Sequence, residues 1–467
     1  MDKNIFRTYD IRGIAISDNK NEIQISNNDA YLIGKAIATH LIQTRNSKTI
    51  VVGADCRITS PEIKEFFTKG LLETGLDVTD IGLSPTPMMY WVVTNLKFDA
   101  GVNITASHNP KNDNGFKIVS KNAESVFGDE LTRLYEIIEK NEFLKQEKIG
   151  KLNHIKPWPQ YLEDLKSKVK INKKLKVVID AGNGATGPYI KDLFEGVGCE
   201  TITLFEKADG TFPNHEANPE KEKNMMDLIK KVKETNADLG IGFDGDGDRL
   251  GLIDENGKMY SAEYILLLFT TDLIKRIPNP TILFDTKFSQ AIINELEKLG
   301  ANAVMYKTGH SLIKKKMKEL KANLAGEVSG HIFITENYYG FDDAFLAAIK
   351  SIEIIANSNK KLSEHFNKVE KTITTEEIKA SCPDGKKAEL VKKIVQNFTK
   401  KYDCITIDGV RIKLNKISWA LIRASNTSPY LTLRFEAKTK EEIKEMQKIV
   451  FEELNKYPEI NNDWYRN

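Results

Sequence analysis

One unit recurs three times along the chain, and that recurrence leaves few folds open. A β-branched run ends in a small polar turn at TIVVGADCR (49–57), KVVIDAGNG (176–184) and TILFDTKFS (281–289). Each is followed by a helix-period pattern, a second strand-like run, another helix and a third short run. The second runs are LDVTDIGLSP (76–85), CETITLFEKADG (199–210) and ANAVMYKTGH (301–310); the third are AGVNI, DLGIGF and ANLAG. Strands alternating with helices in this order build parallel or mixed sheets with helices on both faces. A period of roughly a hundred residues predicts three α/β domains in tandem. In open α/β sheets, ligands sit beyond the carboxyl ends of the strands. The third runs lead into TASHNP, DGDGDR and EVSGHIF, so three polar loops are expected at one site assembled between the domains.

Past residue 368 the pattern changes. KTITTEEIKASCP, an amphipathic stretch over 387–400, CITIDGVRIKL, SWALIRASNTSP, YLTLRFEA and a helix near 439–455 read as a smaller α+β domain. The DG pair in CITIDGVRIKL fits a hairpin turn, because both residues tolerate its positive φ angles. The expected domains are three α/β units with mixed sheets over 1–152, 153–255 and 256–367, then the α+β unit over 368–467. No low-complexity segment separates them, so short linkers and a packed particle are expected, as a monomer or weak homodimer.

Bulk properties narrow the partners. The 68 basic residues nearly cancel the 66 acidic ones, so charge gives no reason to invoke nucleic acid. No apolar run approaches the roughly 18 residues that would span a bilayer, and the start MDKNIFRTYD lacks a signal-peptide core. Cys56, Cys199, Cys382 and Cys404 are far apart without CxxC pairing. A disulfide framework or structural zinc is therefore not expected, and a reducing cytoplasm is the simplest location.

The loops carry the chemistry. FDGDGDRLGLIDE sets Asp244, Asp246 and Asp248 at alternate positions around glycines. Three carboxylates this close repel one another without a cation, and oxygen-only ligands suit Mg²⁺. An EF-hand calcium loop is excluded by Arg249 at the sixth position, where that loop needs glycine, and by LGLI, which reads as strand. Ser107 precedes His108, but adjacent residues rarely face each other and no GxSxG elbow surrounds the serine, so a hydrolase triad is not supported. A phosphate-holding serine fits the neighbouring acidic loop better, with a plain turn or helix N-cap as the simpler reading. Lys117 is suited to a phosphoryl oxygen or a proton transfer. Glu327, Ser329 and His331 in GEVSGHIF can bond sugar hydroxyls, or form a capped turn with a satisfied histidine. Arg423, Ser425, Asn426, Thr427 and Ser428 in RASNTSP combine an arginine fork with hydroxyls and an amide, a set that holds phosphate.

Taken together, YDIRG (9–13), TASHNP (105–110), NGFK (114–117), DGDGDR (244–249), TGHSLIK (308–314), GEVSGH (326–331) and RASNTSPYLTLRFEA (423–437) resemble the α-D-phosphohexomutases. The similarity runs from end to end and is strongest to the phosphomannomutase/phosphoglucomutase branch. It implies a four-domain, heart-shaped, magnesium-dependent enzyme with its active site in the central cleft, one that interconverts hexose 1- and 6-phosphates. Ser107 would be the phosphoserine, and Asp244, Asp246 and Asp248 would hold Mg²⁺ with one phosphoryl oxygen. Arg249, Lys117 and Arg12, with Tyr9, would line the wall around the transferring group, and His108 would orient or contact it. Lys287 and His310 match sugar-contacting positions. Glu327, Ser329 and His331 would read ring hydroxyls, while Arg423, Ser425, Asn426 and Thr427 would anchor the second phosphate. A hexose 1,6-bisphosphate would be the bound intermediate and activator.

The expected general base is Arg12 or Lys117, and the lower intrinsic pKa favours Lys117. Cys56 and Val328 depart from the family pattern, and RASNTSP argues against a phosphoglucosamine mutase. A haloacid-dehalogenase-type enzyme with an aspartyl nucleophile would leave Ser107 without a task. A non-catalytic sugar-phosphate sensor is disfavoured by retention of the serine, the aspartates and the phosphate loop.

Overall fold

The computed structural model describes residues 1–426 and 428–465. Three of its four sheets share one core topology. In the first, Ala100–Ile104, Thr49–Ala54 and Asp77–Leu83 run parallel, and Asp113–Ser120 pairs antiparallel with the first of these. In the second, Leu239–Phe243, Lys176–Asp180 and Glu200–Leu204 are parallel, with Leu250–Asp254 antiparallel beside them. The third repeats this with Leu324–Gly326, Thr281–Asp285, Asn302–Tyr306 and antiparallel Ile332–Ile334. The sheets are therefore mixed, as the strand–helix order implies.

Alternation along each central strand explains why both faces are covered. Ile50 and Val52 pack with the helices Asn27–Arg45 and Ser60–Glu73, while Val51 faces Thr86–Asn95. Val178 packs with Met226–Thr235, and its neighbours Val177 and Ile179 face the opposite way. Leu283 packs with His310–Leu320, while Ile282 and Phe284 turn away from it. The away-facing residues join one core that crosses all three domains, centred on Ala344–Asn357 and Ala262–Leu273. Ring contacts Trp91–Tyr161, Tyr90–Phe341 and Phe243–Phe345 stitch it together. A shared apolar core of this kind fixes the mutual placement of the domains.

The last domain is an antiparallel sheet in which Tyr430–Ala437 pairs with Trp419–Ala424, Ile373–Thr374 and Ile378–Ser381. Its helices are Asp384–Phe398 and Lys440–Leu454. The DG hairpin forms, but only Gly409 has positive φ, at 77°. Residues 406–409 make a longer connection than a two-residue turn, and Asp408 is freed for tertiary bonds. Against the third domain, Arg411 is fully buried and lies 3.8 Å from the Trp419 ring centre. It donates to the carbonyls of Thr286 (2.8 Å) and Phe288 (2.7 Å). Glu436 beside it accepts from Ser289 Oγ, the Gln290 amide, Trp419 Nε1 and Thr372 Oγ1. No helix among the described residues is long and apolar enough to cross a membrane.

Candidate active site

In each of the first three domains, the third parallel strand turns back into its antiparallel neighbour, and the turn is the polar loop. The ladders close at Ile104↔Phe116, Phe243↔Leu250 and Gly326↔Ile332. Because all three hairpins point inward, loops far apart in sequence meet.

Ser107 is fully buried with φ 53°, a left-handed conformation unusual for a non-glycine residue. Its Oγ donates to Asp244 Oδ2 at 2.7 Å, and its amide donates to Thr105 Oγ1 at 2.8 Å. The acidic loop comes so close that a Cβ on Gly245 would stand 2.5 Å from the Ser107 carbonyl oxygen; only glycine fits there. His108 Nδ1 lies 3.3 Å from Ser107 Oγ. The expectation that adjacent side chains would not meet is corrected by that positive φ, which turns the serine back toward its neighbour. Asn109 and Asn114 shape the loop, donating to Asp113 and to Thr59 and Ser60.

Asp244, Asp246 and Asp248 are all fully buried, with ligand-capable atoms within 4.8 Å of one another. Asp244 Oδ1 accepts the amides of Asp248 (3.1 Å) and Arg249 (3.2 Å), so the loop curls around its own carboxylate. Asp246 Oδ2 accepts from Thr86 Oγ1, at the start of Thr86–Asn95. Lys117 Nζ reaches across the domain boundary to Asp246 (2.7 Å) and Asp248. Burial and the two neighbouring carboxylates push Asp244 well above the usual carboxylate range. Burial also opposes ionisation of Asp246, but the Lys117 ammonium outweighs it and holds that group low. Asp246 Oδ1 and Asp248 Oδ1 are buried and find no hydrogen-bond partner among the described residues.

Around this core stand the other expected residues. Arg12 bonds Asp10 (2.8 Å), Asn109 Oδ1 (2.9 Å) and the Ala106 carbonyl (3.2 Å). Arg249 Nε donates to His331 Nε2 at 3.1 Å, and His331 Nδ1 is 3.0 Å from Asp342 Oδ2. His310 stacks on His331 with ring centres 5.3 Å apart. Glu327 Oε1 accepts the Gly309 amide at 2.6 Å, and Ser329 is half-buried in the same turn. Tyr9 donates to the Thr308 carbonyl at 2.6 Å and accepts from Asn426 Nδ2, joining three domains. Gly309 gives the Tyr9 ring room, since a Cβ there would lie 2.2 Å from Cζ.

The phosphate-loop candidates line the far rim. Arg423 donates through Nε to Asp408 (2.8 Å), while its buried Nη2 has no partner among the described residues. The carbonyls of Ser425 and Ser428 accept from Lys387, at 2.6 and 2.9 Å. Thr427 lies outside the described residues. Lys287 is held by Glu377 of the last domain at 2.6 Å.

Three contributors escape sequence reasoning. Asp408 looks like a turn residue yet ties Arg423 to the Thr308 amide (3.1 Å). Asp342 sits between His331 and Lys314, with Lys314 Nζ 3.4 Å from Oδ1. Arg57 is buried beneath the serine loop.

A serine, a lysine and three carboxylates meeting at the junction of the first two domains, beside the histidines of the third, fit the class of sugar-phosphate mutases. Models of phosphoglucomutase/phosphomannomutase α/β/α domains I, II and III match residues 3–145, 159–257 and 261–372, and the model of its C-terminal domain matches 377–453. A phosphomannomutase/phosphoglucomutase of Pseudomonas syringae pv. tomato is 40% identical over 97% of this chain and 95% of its own. A phosphoglucomutase of Neisseria meningitidis is 37% identical over 95% of each chain. The crystal structure of a phosphoglucomutase/phosphomannomutase family protein from Burkholderia thailandensis superposes with a TM-score of 0.89 at 33% identity, covering 98% of both chains. This chain belongs to the phosphoglucomutase/phosphomannomutase family.

Proposed function

We propose that the chain interconverts hexose 1-phosphate and hexose 6-phosphate, of mannose, glucose or both. The observation that carries the proposal is the junction of the first two domains, where Ser107 Oγ and Lys117 Nζ both rest on the acidic loop. In this reading a phosphorylated Ser107 gives its phosphoryl group to the free hydroxyl of the substrate. The phosphorus–Oγ bond breaks as a bond to the sugar oxygen forms, and the hydroxyl proton is returned to the serine oxygen. The resulting 1,6-bisphosphate turns end for end, and its other phosphoryl group returns to Ser107.

The all-oxygen donor set fits Mg²⁺, and Asp246 Oδ1 and Asp248 Oδ1, which have no hydrogen-bond partner among the described residues, support a divalent ion there. Asp244, Asp246 and Asp248 would hold it with a phosphoryl oxygen on Ser107. When bound, the ion neutralises charge on the transferring group. The chain's own residues do the rest. Burial disfavours a charged Lys117 and a charged Arg12, but Asp246 and Asp248 outweigh it for the lysine, and Asp10 and Asp246 for the arginine. Both therefore act as fixed positive charge rather than as the base. His108, held neutral by burial and by Arg249, carries the proton at 3.3 Å from Ser107 Oγ. Glu327, Ser329, His331 and His310 orient the ring, and Lys287 joins them from the third domain. Arg423, Ser425, Asn426 and Thr427 hold the second phosphate, a role supported by Arg423 Nη2, which is buried without a hydrogen-bond partner among the described residues. The four unpaired cysteines support a cytoplasmic location.

The test is a coupled assay of glucose 1-phosphate conversion with Mg²⁺ and a bisphosphate primer, run beside mannose and glucosamine phosphates. Turnover of glucose or mannose phosphate, with loss of activity in Ser107→Ala, is expected. No turnover on any of the three sinks the reading.

A further inference from the structure

The geometry points to Arg57 as the positioning residue of the phosphoryl-carrying loop, an inference that rests on Ser107 being that carrier. Arginine has five N–H donors in a rigid fork, and here each has its own acceptor. Nη2 donates to the carbonyls of Ser107 and Asn109, both at 2.8 Å. Nη1 donates to the carbonyls of Pro110 (2.7 Å) and Asp113 (2.9 Å). Nε donates to Asp55 Oδ2 at 3.1 Å, and Asp55 Oδ1 is itself held by Ser60 Oγ and the Arg57 amide. Four backbone carbonyls of one loop are thus gathered onto a single planar group.

This is more than loop packing, because one of the four belongs to Ser107. That residue sits at φ 53°, a conformation a non-glycine side chain leaves when nothing holds it. Releasing its carbonyl lets the peptide relax to negative φ and swings Oγ away from Asp244. The lock also spans two domains. Phe212 of the second domain lies over the guanidinium at 5.4 Å, and Gly210 passes so close that a Cβ would stand 2.6 Å from the Arg57 Cα. Arg57 has 1% of its surface exposed, so water has no ready access to substitute for it. A lysine offers one point of donation and cannot fork across four carbonyls.

The variants are Arg57→Lys and Arg57→Ala in the full chain, each compared with the parent by melting temperature, steady-state kinetics and transfer of labelled phosphate from glucose 1,6-bisphosphate to Ser107. A misplacement near 1 Å costs about 100-fold, so Arg57→Lys is expected to lose about that in kcat. Its KM for glucose 1-phosphate should stay within about threefold, since ground-state binding is unchanged. Labelling per folded molecule should slow in step with kcat, and millimolar guanidinium should restore Arg57→Ala by about tenfold or more. Where Arg57→Ala fails to fold, Arg57→Lys carries the test alone. Folded Arg57→Lys with parental kcat overturns the inference, as does a loss explained by the folded fraction with unchanged labelling per folded molecule. If the parent itself takes no label on Ser107, the phosphoserine reading fails, and this inference with it; parental labelling with unslowed Arg57→Lys refutes the inference alone.

Discussion

Tyr9→Phe isolates the link between the cleft and the last domain. The hydroxyl is the only group removed, and the ring keeps the space that Gly309 leaves for it. Two hydrogen bonds go, one donated to the Thr308 carbonyl and one accepted from Asn426 Nδ2. Neither partner is left alone, because Asn426 Nδ2 also lies 3.5 Å from the Thr308 carbonyl. The loss is then the net value of two bonds, about 1–2 kcal/mol, without the larger penalty of an orphaned buried group. Asn426 belongs to the loop proposed to hold the second phosphate, so this energy favours the arrangement that grips substrate. KM for glucose 1-phosphate should rise roughly 5- to 30-fold, since each 1.4 kcal/mol is a factor of ten. The chemistry proposed at Ser107 is untouched, so kcat should change by less than about threefold. Initial rates in the coupled assay across a wide substrate range separate the two constants. A fall in kcat with KM unchanged would put the hydroxyl at the reacting group and refute the reasoning.

Thr86→Val removes the hydroxyl that donates to Asp246 Oδ2, an outer contact to a proposed metal ligand. The Mg²⁺ concentration giving half-maximal rate should rise by roughly tenfold or more after EDTA treatment and readdition. Asp343 is fully buried, caps Ala344–Asn357 through the Leu346 amide at 3.0 Å, and is pushed up to about 6 by burial. Its folded pKa exceeds its unfolded value, so folding binds a proton between about pH 4 and 6, and stability falls as pH rises through that window, by roughly 3 kcal/mol. Asp343→Asn should flatten this part of the melting-temperature profile, and an unchanged slope would assign it elsewhere. Burial brings Arg411 down to about 9, and Arg411→Met strips the Thr286 and Phe288 carbonyls of their donor. The expected loss is roughly 2–4 kcal/mol, read in calorimetry as earlier melting of the last domain.

The three α/β units are legible because β-branched runs and helix-period runs alternate without interruption. The acidic loop is legible because Asp244, Asp246 and Asp248 at alternate positions have few explanations besides a cation. Arg57 is illegible for the opposite reason: its acceptors are backbone carbonyls, which leave no mark on side-chain identity. Asp408 is read as a turn residue because its two donors, Arg423 and the Thr308 amide, are local and distant contacts that only the fold joins. Lys287 shows the same limit, since its partner Glu377 lies in another domain. The meeting of Ser107 Oγ and His108 Nδ1 is illegible in the sequence, because adjacent side chains rarely face each other and nothing in the residue types announces the positive φ of Ser107.

The three hairpins also set how the enzyme can diverge. Each loop is clamped at both ends by its own strand ladder, at Ile104↔Phe116, Phe243↔Leu250 and Gly326↔Ile332. Residues 105–115 form a long arm that crosses to the second domain, whereas 244–249 and 327–331 are short arms with little slack. The segment 327–331, proposed to read the sugar ring, is therefore an exchangeable cassette: its sequence can change at constant length while both anchors, and the placement of Ser107, stay put. Deletions in 105–115 have no such freedom, because each residue removed shortens the arm by about 3.3 Å. New specificities in this architecture should arise by substitution in the third hairpin, and losses of activity by shortening the first.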